Sequence, residues 1–312
     1  MKTFRLIGMA LLAIVMSVNF TSCSDDDEGD NPVKNEDGII TNQKKIMEIK
    51  ETYEDGTNTM AFSYDSKGRL ISVVESDFDS HDNEIFNITW GTNSIVTTND
   101  GESTTHSLTE GLVRTSKNDY GTDTYAYNSS NQLIVIKETN NRGDDEDTNN
   151  YTWNNGSITK YTYNNKGYEP SVYEYTYSGK TCKGWCPNIE DEAWEAIDNG
   201  LIFIAHPELV GMRTTQLPDQ CYNKSISKGE YYDDTFKETY KYESISEETA
   251  IYTYKLNSDG YVESLTVKET DVETYNTSFE DKNGDGVISD DERNISNTYT
   301  ETYTTTYTFK WE

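Results

Sequence analysis

Positive charge is scarce in this sequence: 26 Lys and Arg stand against 56 Asp and Glu in 312 residues, a formal net charge of −30. Such a chain repels phosphate backbones and anionic lipid surfaces, which excludes nucleic acid as a partner. Histidine and cysteine are few as well, and His81, His106 and His206 fall in unrelated segments. Without a second close pair of cysteines, this leaves no zinc pattern. Hydrophobic residues make up only 33% of the chain, and mean hydropathy is −0.83. Two apolar runs stand out, Leu6 to Phe20 and Leu201 to Gly211, and both are too short to favour a membrane-spanning helix. Low hydropathy with high net charge is the composition of disordered chains, yet 24 Tyr, 5 Trp and 9 Phe contradict it, because disordered chains are poor in aromatics. The chain therefore folds, and its residue types predict β structure.

Lys2 and Arg5, the apolar run and Phe20-Thr21-Ser22-Cys23 have the layout of a secretory signal peptide. With a small residue immediately before Cys23, the segment resembles a bacterial lipoprotein signal. That resemblance implies removal of residues 1–22 and lipidation of Cys23; Phe20 departs from the usual aliphatic residue three places before the cysteine. The alternative is an ordinary cleaved signal with Cys23 incidental. Ser24, Asp25, Asp26, Asp27, Glu28 and the polar stretch to residue 43 predict a self-repelling, extended tether. An acidic run here resembles the signal that exports Bacteroidetes lipoproteins to the outer face of the outer membrane, implying outer-membrane lipid as a partner through Cys23. A periplasm-facing lipoprotein with a solvated linker is the alternative.

From residue 44 to 312 the sequence predicts a single all-β domain. Alternating Tyr, Thr, Val and Ile are broken every eight to twelve residues or so by Gly, Asn and Asp, the pattern of consecutive antiparallel strands joined by tight turns. Units such as Tyr64-Asp65-Ser66-Lys67-Gly68, Tyr125 to Ile134, Tyr161 to Gly167 and Tyr252 to Val262 repeat an aromatic strand, a turn and an outgoing strand. Their turns resemble the tyrosine-aspartate repeats of bacterial surface proteins, read here as convergence on one hairpin. Roughly 14 to 18 strands are expected at about ten residues each, more than an open sheet carries without curling. Closure into a barrel, or a strongly coiled meander, removes the free edges. Thr, Ser, Glu and Lys on both faces predict a barrel standing in water rather than in a bilayer.

The alternation fails between Cys182 and Cys221. Asn188 to Ile197 has helical spacing with acids in its first turn, and Leu201 to Gly211 is expected to plug or cap one end of the β structure. The phrase Ala205-His206-Pro207-Glu208-Leu209, with Gln216-Leu217-Pro218 after it, resembles a family of gut Bacteroidetes lipoproteins with a porin-like β fold and no known activity. His206 is expected to pack beside the plug. Cys182 or Cys186 could bond Cys221 and close the insertion, leaving one thiol.

Asp281-Lys282-Asn283-Gly284-Asp285-Gly286-Val287-Ile288-Ser289-Asp290-Asp291-Glu292 resembles the EF-hand calcium loop at every constrained position. Calcium takes six to eight oxygens; Asp281, Asn283, Asp285, the Val287 carbonyl, Ser289 and a bidentate Glu292 would supply them. Strand-like flanks, Val272 to Phe279 and Asn297 to Phe309, replace the usual helices, so the ion would stiffen a hairpin rather than drive a sensor. The alternative is an Asn/Gly-rich turn that happens to fit.

Other chemistry is thin. With 56 acids no glycosidase pair can be singled out. Arg142-Gly143-Asp144 matches an integrin tripeptide and carries no assigned role. Trp90, Trp153, Trp185, Trp194 and Trp311 could stack on sugar rings, although strand aromatics more often pack across strands. The expectation is a lipid-anchored, calcium-binding envelope protein with a binding or scaffolding role and a glycan or envelope protein as partner. A carbohydrate-active enzyme or a glycan-binding adhesin of a polysaccharide-uptake system is the alternative.

Overall fold

The structure, a computed structural model, describes residues 32–54, 56–78, 83–142, 146–186 and 201–312. Twelve short strands come first: β1 Ile46–Thr52, β2 Thr57–Tyr64, β3 Leu70–Ser76, β4 Glu84–Trp90, β5 Ser94–Asn99, β6 Glu102–Thr109, β7 Leu112–Lys117, β8 Gly121–Tyr127, β9 Leu133–Asn140, β10 Glu146–Asn154, β11 Ser157–Asn164 and β12 Ser171–Thr176. Four long ones follow: β13 Gln220–Asp233, β14 Glu238–Leu256, β15 Val262–Phe279 and β16 Arg293–Trp311. Every neighbouring pair is antiparallel, and β1 pairs with β16 to close a sixteen-stranded barrel. The predicted meander thus closes as expected.

The turn chemistry explains the repeat. Asn35, Asp65, Asn128 and Asn257 each open a turn in which the side-chain Oδ1 accepts the amides two and four residues on. The fourth residue of each turn has positive φ: Gly38, Gly68, Asn131 and Gly260. Aromatic residues at the ends of even-numbered strands then reach back to a carbonyl at the start of the preceding strand. Tyr64 donates to Ile46, Trp90 to Leu70, Tyr127 to Val113, Trp153 to Leu133, Tyr177 to Ile158 and Trp311 to Val262, at 2.5–2.8 Å. Each latch buries an aromatic body while its polar atom stays hydrogen-bonded, the condition for placing Tyr or Trp in a core.

These latches lie at one end of the barrel, where the buried apolar residues Ile46, Leu70, Ile95, Leu133, Val262 and Trp311 also gather. The segment between β12 and β13 seals this end. Its helix α1, Leu201–Ala205, stops before Pro207, and a 3-10 turn spans Pro207–Leu209. Ile202, Phe203, Leu209, Val210 and Met212 are at most 1% exposed, each fully buried large side chain contributing about 1.5–3 kcal/mol. Gly211 (φ +65) touches the β8–β9 turn so closely that a Cβ would lie 2.2 Å from the Asn131 carbonyl oxygen. The expected plug is therefore a seal.

Part of the segment expected as tether also lies on the sealed end. Ile39 and Ile40, the apolar pair of that stretch, are buried, and the Ile40 amide donates to Glu208. Lys45 exchanges backbone hydrogen bonds with Glu312. Outward barrel positions such as Lys50, Ser63, Asn87, Thr105, Thr124, Thr152 and Glu174 are exposed and polar.

At the opposite rim the four long strands continue. β13 pairs with β12 only over Gln220–Asn223, and β16 with β1 only over Thr306–Trp311. Beyond that point β13 to β16 pair with one another alone, forming a four-stranded arm ~40 Å long at ~3.3 Å per residue.

Candidate functional site

The period of two sorts the arm into unlike faces. One continues the inside of the barrel: Tyr231, Tyr240, Tyr242, Tyr275, Tyr299 and Tyr303 all lie on it, with Asp271, Glu273 and Glu301. The other presents threonine pairs, Thr270 with Thr302 and Thr274 with Thr298, beside Lys224, Lys228 and Lys241. Each of these lysines meets a glutamate of its own face, Glu247 at 2.8 Å, Glu243 at 2.6 Å and Glu230 at 3.7 Å. Hydrogen bonds from Lys224 and Lys228 hold Glu247 and Glu243 below the ordinary carboxylate range. The inner face has one base, Arg293, and it is clamped by Glu238 with bonds of 2.8 and 2.9 Å.

The tip of the arm has a small core of its own on the inner face. Tyr231 stacks on Tyr240 with centroids 4.8 Å apart, and Tyr240 meets Phe279 edge-on at 5.1 Å. The Tyr242 ring covers Gly229, where a Cβ would come within 2.4 Å of the ring. Tyr299 and Tyr303, nearer the barrel, are 60% and 50% exposed.

The EF-hand-like loop joins β15 to β16 beyond this core. Asp281 accepts the amides of Gly284 and Gly286, Asn283 that of Asp285, and Asp285 that of Val287. Glu292, 2% exposed, accepts the amides of Lys282 and Ser289 and the Ser289 hydroxyl, whose bond leads in holding the carboxyl below its ordinary range. The flanking strands are longer than the sequence suggests, and a 3-10 turn, Asp290–Glu292, stands where the second helix of an EF-hand would begin. The donor set is all oxygen and fits a hard cation. Among the described residues no group of three or more His, Cys, Asp or Glu side chains closes on one point.

Inside the rim, acids face one another across strands: Glu75 opposite Glu84, Asp123 opposite Glu138, and Glu138 opposite Asp147. Burial pushes the Glu75 carboxyl up, and the charges of Glu84 and Glu51 add to this. A cavity of about 380 Å³ opens here, bordered by Phe86, Asn99, Asp100, Glu102, Asp119 and Tyr120, with the Tyr120 hydroxyl donating to Glu102 at 2.8 Å.

The sealed end holds a buried ionic group. Glu208 accepts from Ile40 and lies 3.5 Å from His206 Nδ1 and 3.7 Å from the Arg213 guanidinium. Burial alone would push its carboxyl up, but the His206 hydrogen bond and the Arg213 charge outweigh burial and hold it low. Arg213 also donates to Gln43 and to the Gly184 carbonyl, tying the N-terminal stretch to the seal. Cys182, Cys186 and Cys221 are buried as thiols, Cys221 within β13, and burial pushes Cys182 up to about 12.

Trp90, Trp153 and Trp311 serve as latches, and Trp185 packs edge-on against Trp311 at 5.8 Å. Their rings are thus engaged in the fold. Cys23, the stretch 188–197 expected to be helical, with Trp194, and Gly143-Asp144 lie outside the described residues. The tyrosine face is what sequence reasoning missed; Tyr at 240 and 242 flanking Lys241, and Tyr at 299 and 303 alternating with Thr, was its readable signal.

No family model and no curated protein matches the chain. Among solved structures it is similar to a porin-like protein from Bacteroides uniformis, at 19% identity over 87% of this chain and 98% of that one, with a TM-score of 0.58. A porin-like protein from Bacteroides vulgatus is similar at 10% identity over 86% and 99%, with a TM-score of 0.50. The likeness is one of fold.

Proposed function

We propose that this chain is a lipid-anchored protein of the bacterial envelope, displayed at the outer-membrane surface, with a binding role. Its barrel acts as a sealed stand for the arm. The carrying observation is the docking of Ile39, Ile40 and Gln43 on the sealed end, while the arm projects from the opposite rim. A tether running back from there to Cys23 would hold the arm away from the membrane. The secretory layout before Cys23, the polar barrel exterior and the porin-like Bacteroides neighbours support this reading. Calcium at residues 281–292 would stiffen the arm's tip. Replacing Cys23 by Ala should move the protein from the membrane fraction to the soluble one, and protease added to intact cells should degrade the wild type. Retention of the variant in membranes would overturn the anchor, and protection from protease would point to the periplasmic side.

The rim cavity supports a second reading, a carbohydrate-active enzyme, because Asp100, Glu102 and Asp119 border it beside an exposed Tyr120. Polysaccharide hydrolysis lost in Glu102→Gln would favour it; an inactive wild type would count against it.

A further inference from the structure

The two faces of the arm have the same alternating backbone and opposite electrostatic design. Outward Lys224, Lys228 and Lys241 are neutralised across strands by outward glutamates. On the inner face the basic residue Arg293 is held by Glu238, and Asp271, Glu273 and Glu301 lie among exposed tyrosines with no lysine at the same parity, Glu273 accepting from the Ser244 hydroxyl and Glu301 from that of Tyr303. An arm ~40 Å long and four strands wide at ~4.8 Å spacing offers on the order of 700 Å², close to one side of a standard protein interface. Carboxylates interleaved with tyrosine rings recognise cations twice, by ion pairing and through the ring faces.

We infer that the inner face of the arm docks an extended, lysine- or arginine-rich polypeptide lying between Tyr231 at the tip and Tyr303 near the rim. Complementary charge selects this occupant. A second copy of the chain would bring another −30 and the same acidic face. A neutral polysaccharide could stack on the tyrosines but gives no reason for the segregation of charge.

The inference rests on the binding role proposed above and is independent of the anchor. The test uses the full mature chain, made soluble by Cys23→Ala, and a fluorescein-labelled peptide of alternating lysine and serine, followed by fluorescence anisotropy. Two variants with the same change in net charge are compared: Asp271→Asn/Glu273→Gln/Glu301→Gln on the inner face, and Glu230→Gln/Glu243→Gln/Glu247→Gln on the outer. The inner variant should weaken binding by about tenfold or more and the outer one by less than about twofold. Tyr299→Ser/Tyr303→Ser should weaken it by about fivefold with the melting temperature unchanged. Equal effects of the two charge variants would mean non-specific attraction and overturn the inference. So would binding of labelled laminarin, a neutral glucan, by a chain that gives no anisotropy change with the peptide. Failure of Cys23→Ala to leave the membrane, with peptide binding intact, would sink the anchor alone.

Discussion

Leu70 donates its amide to Nε2 of His206 at 3.1 Å. The same residue's carbonyl accepts the Trp90 indole N–H at 2.8 Å, so the start of β3 is held by the seal on one side and by a latch on the other. With Nε2 accepting, the ring proton sits on Nδ1, facing Glu208. His206→Ala would orphan a buried amide and remove a partner of a buried carboxylate. A loss of about 3 kcal/mol is expected, read as a lower urea midpoint with an unchanged slope. A loss within about 0.5 kcal/mol would show that the seal does not depend on this bond.

His106 offers a pH-dependent counterpart. It is fully buried, bonded to Ser116 at 2.7 Å and edge-on to Phe203, and burial pushes its pKa down to about 4. The unfolded chain takes up this proton near pH 6.5 and the folded one only near 4. Stability is therefore lost as pH falls through that window and levels off below it, by about 3 kcal/mol in all. His106→Gln should lack this component, seen as the difference between the two stability curves from pH 7 to pH 4.

The acids inside the rim act against the fold. Because the folded value of Glu75 lies above its unfolded one, its charged form is disfavoured once the unfolded group ionises, above about pH 4.3. Glu75→Gln should raise the melting temperature at pH 7 by about 2 °C and give no gain below pH 4. An unchanged or lower melting temperature at pH 7 would refute the repulsion.

Calcium binding is a calorimetric question. Titration into the mature chain should give a dissociation constant in the micromolar to millimolar range, about that of extracellular modules. Asp281→Ala and Glu292→Ala should each abolish the heat. At about a hundred times the dissociation constant, the ion should add about 2.7 kcal/mol to the stability of whatever unfolds with the tip. Heat unchanged in both variants would remove the site.

The strands and hairpins were legible because two local signals agree. Alternation sets each strand, and Asp65, Asn128 and Asn257 mark turns whose side chains bond their own backbone. Leu201 to Gly211 could be read as a seal because few other apolar residues cluster in the chain. The arm was not legible in the same way. Glu238–Leu256 and Arg293–Trp311 alternate without a break, and nothing within them marks where the barrel partner stops and solvent begins. That boundary is set by the length of β12 and β1, residues far away in the chain. The latch roles of Trp90, Trp153 and Trp311 were hidden for the same reason, since each depends on which carbonyl lies opposite its ring.

The pairing of β1 with β16 has a consequence for biogenesis. Ile49 meets Phe309, so the first strand of the barrel has no partner on that edge until the last one is made. Until then both strands present open edges, and the longer, β16, is rich in tyrosine and threonine, a template for joining another chain. Closure at such sequence separation is slow compared with formation of the local hairpins. The net charge of −30 makes copies repel one another and would protect each chain during that wait.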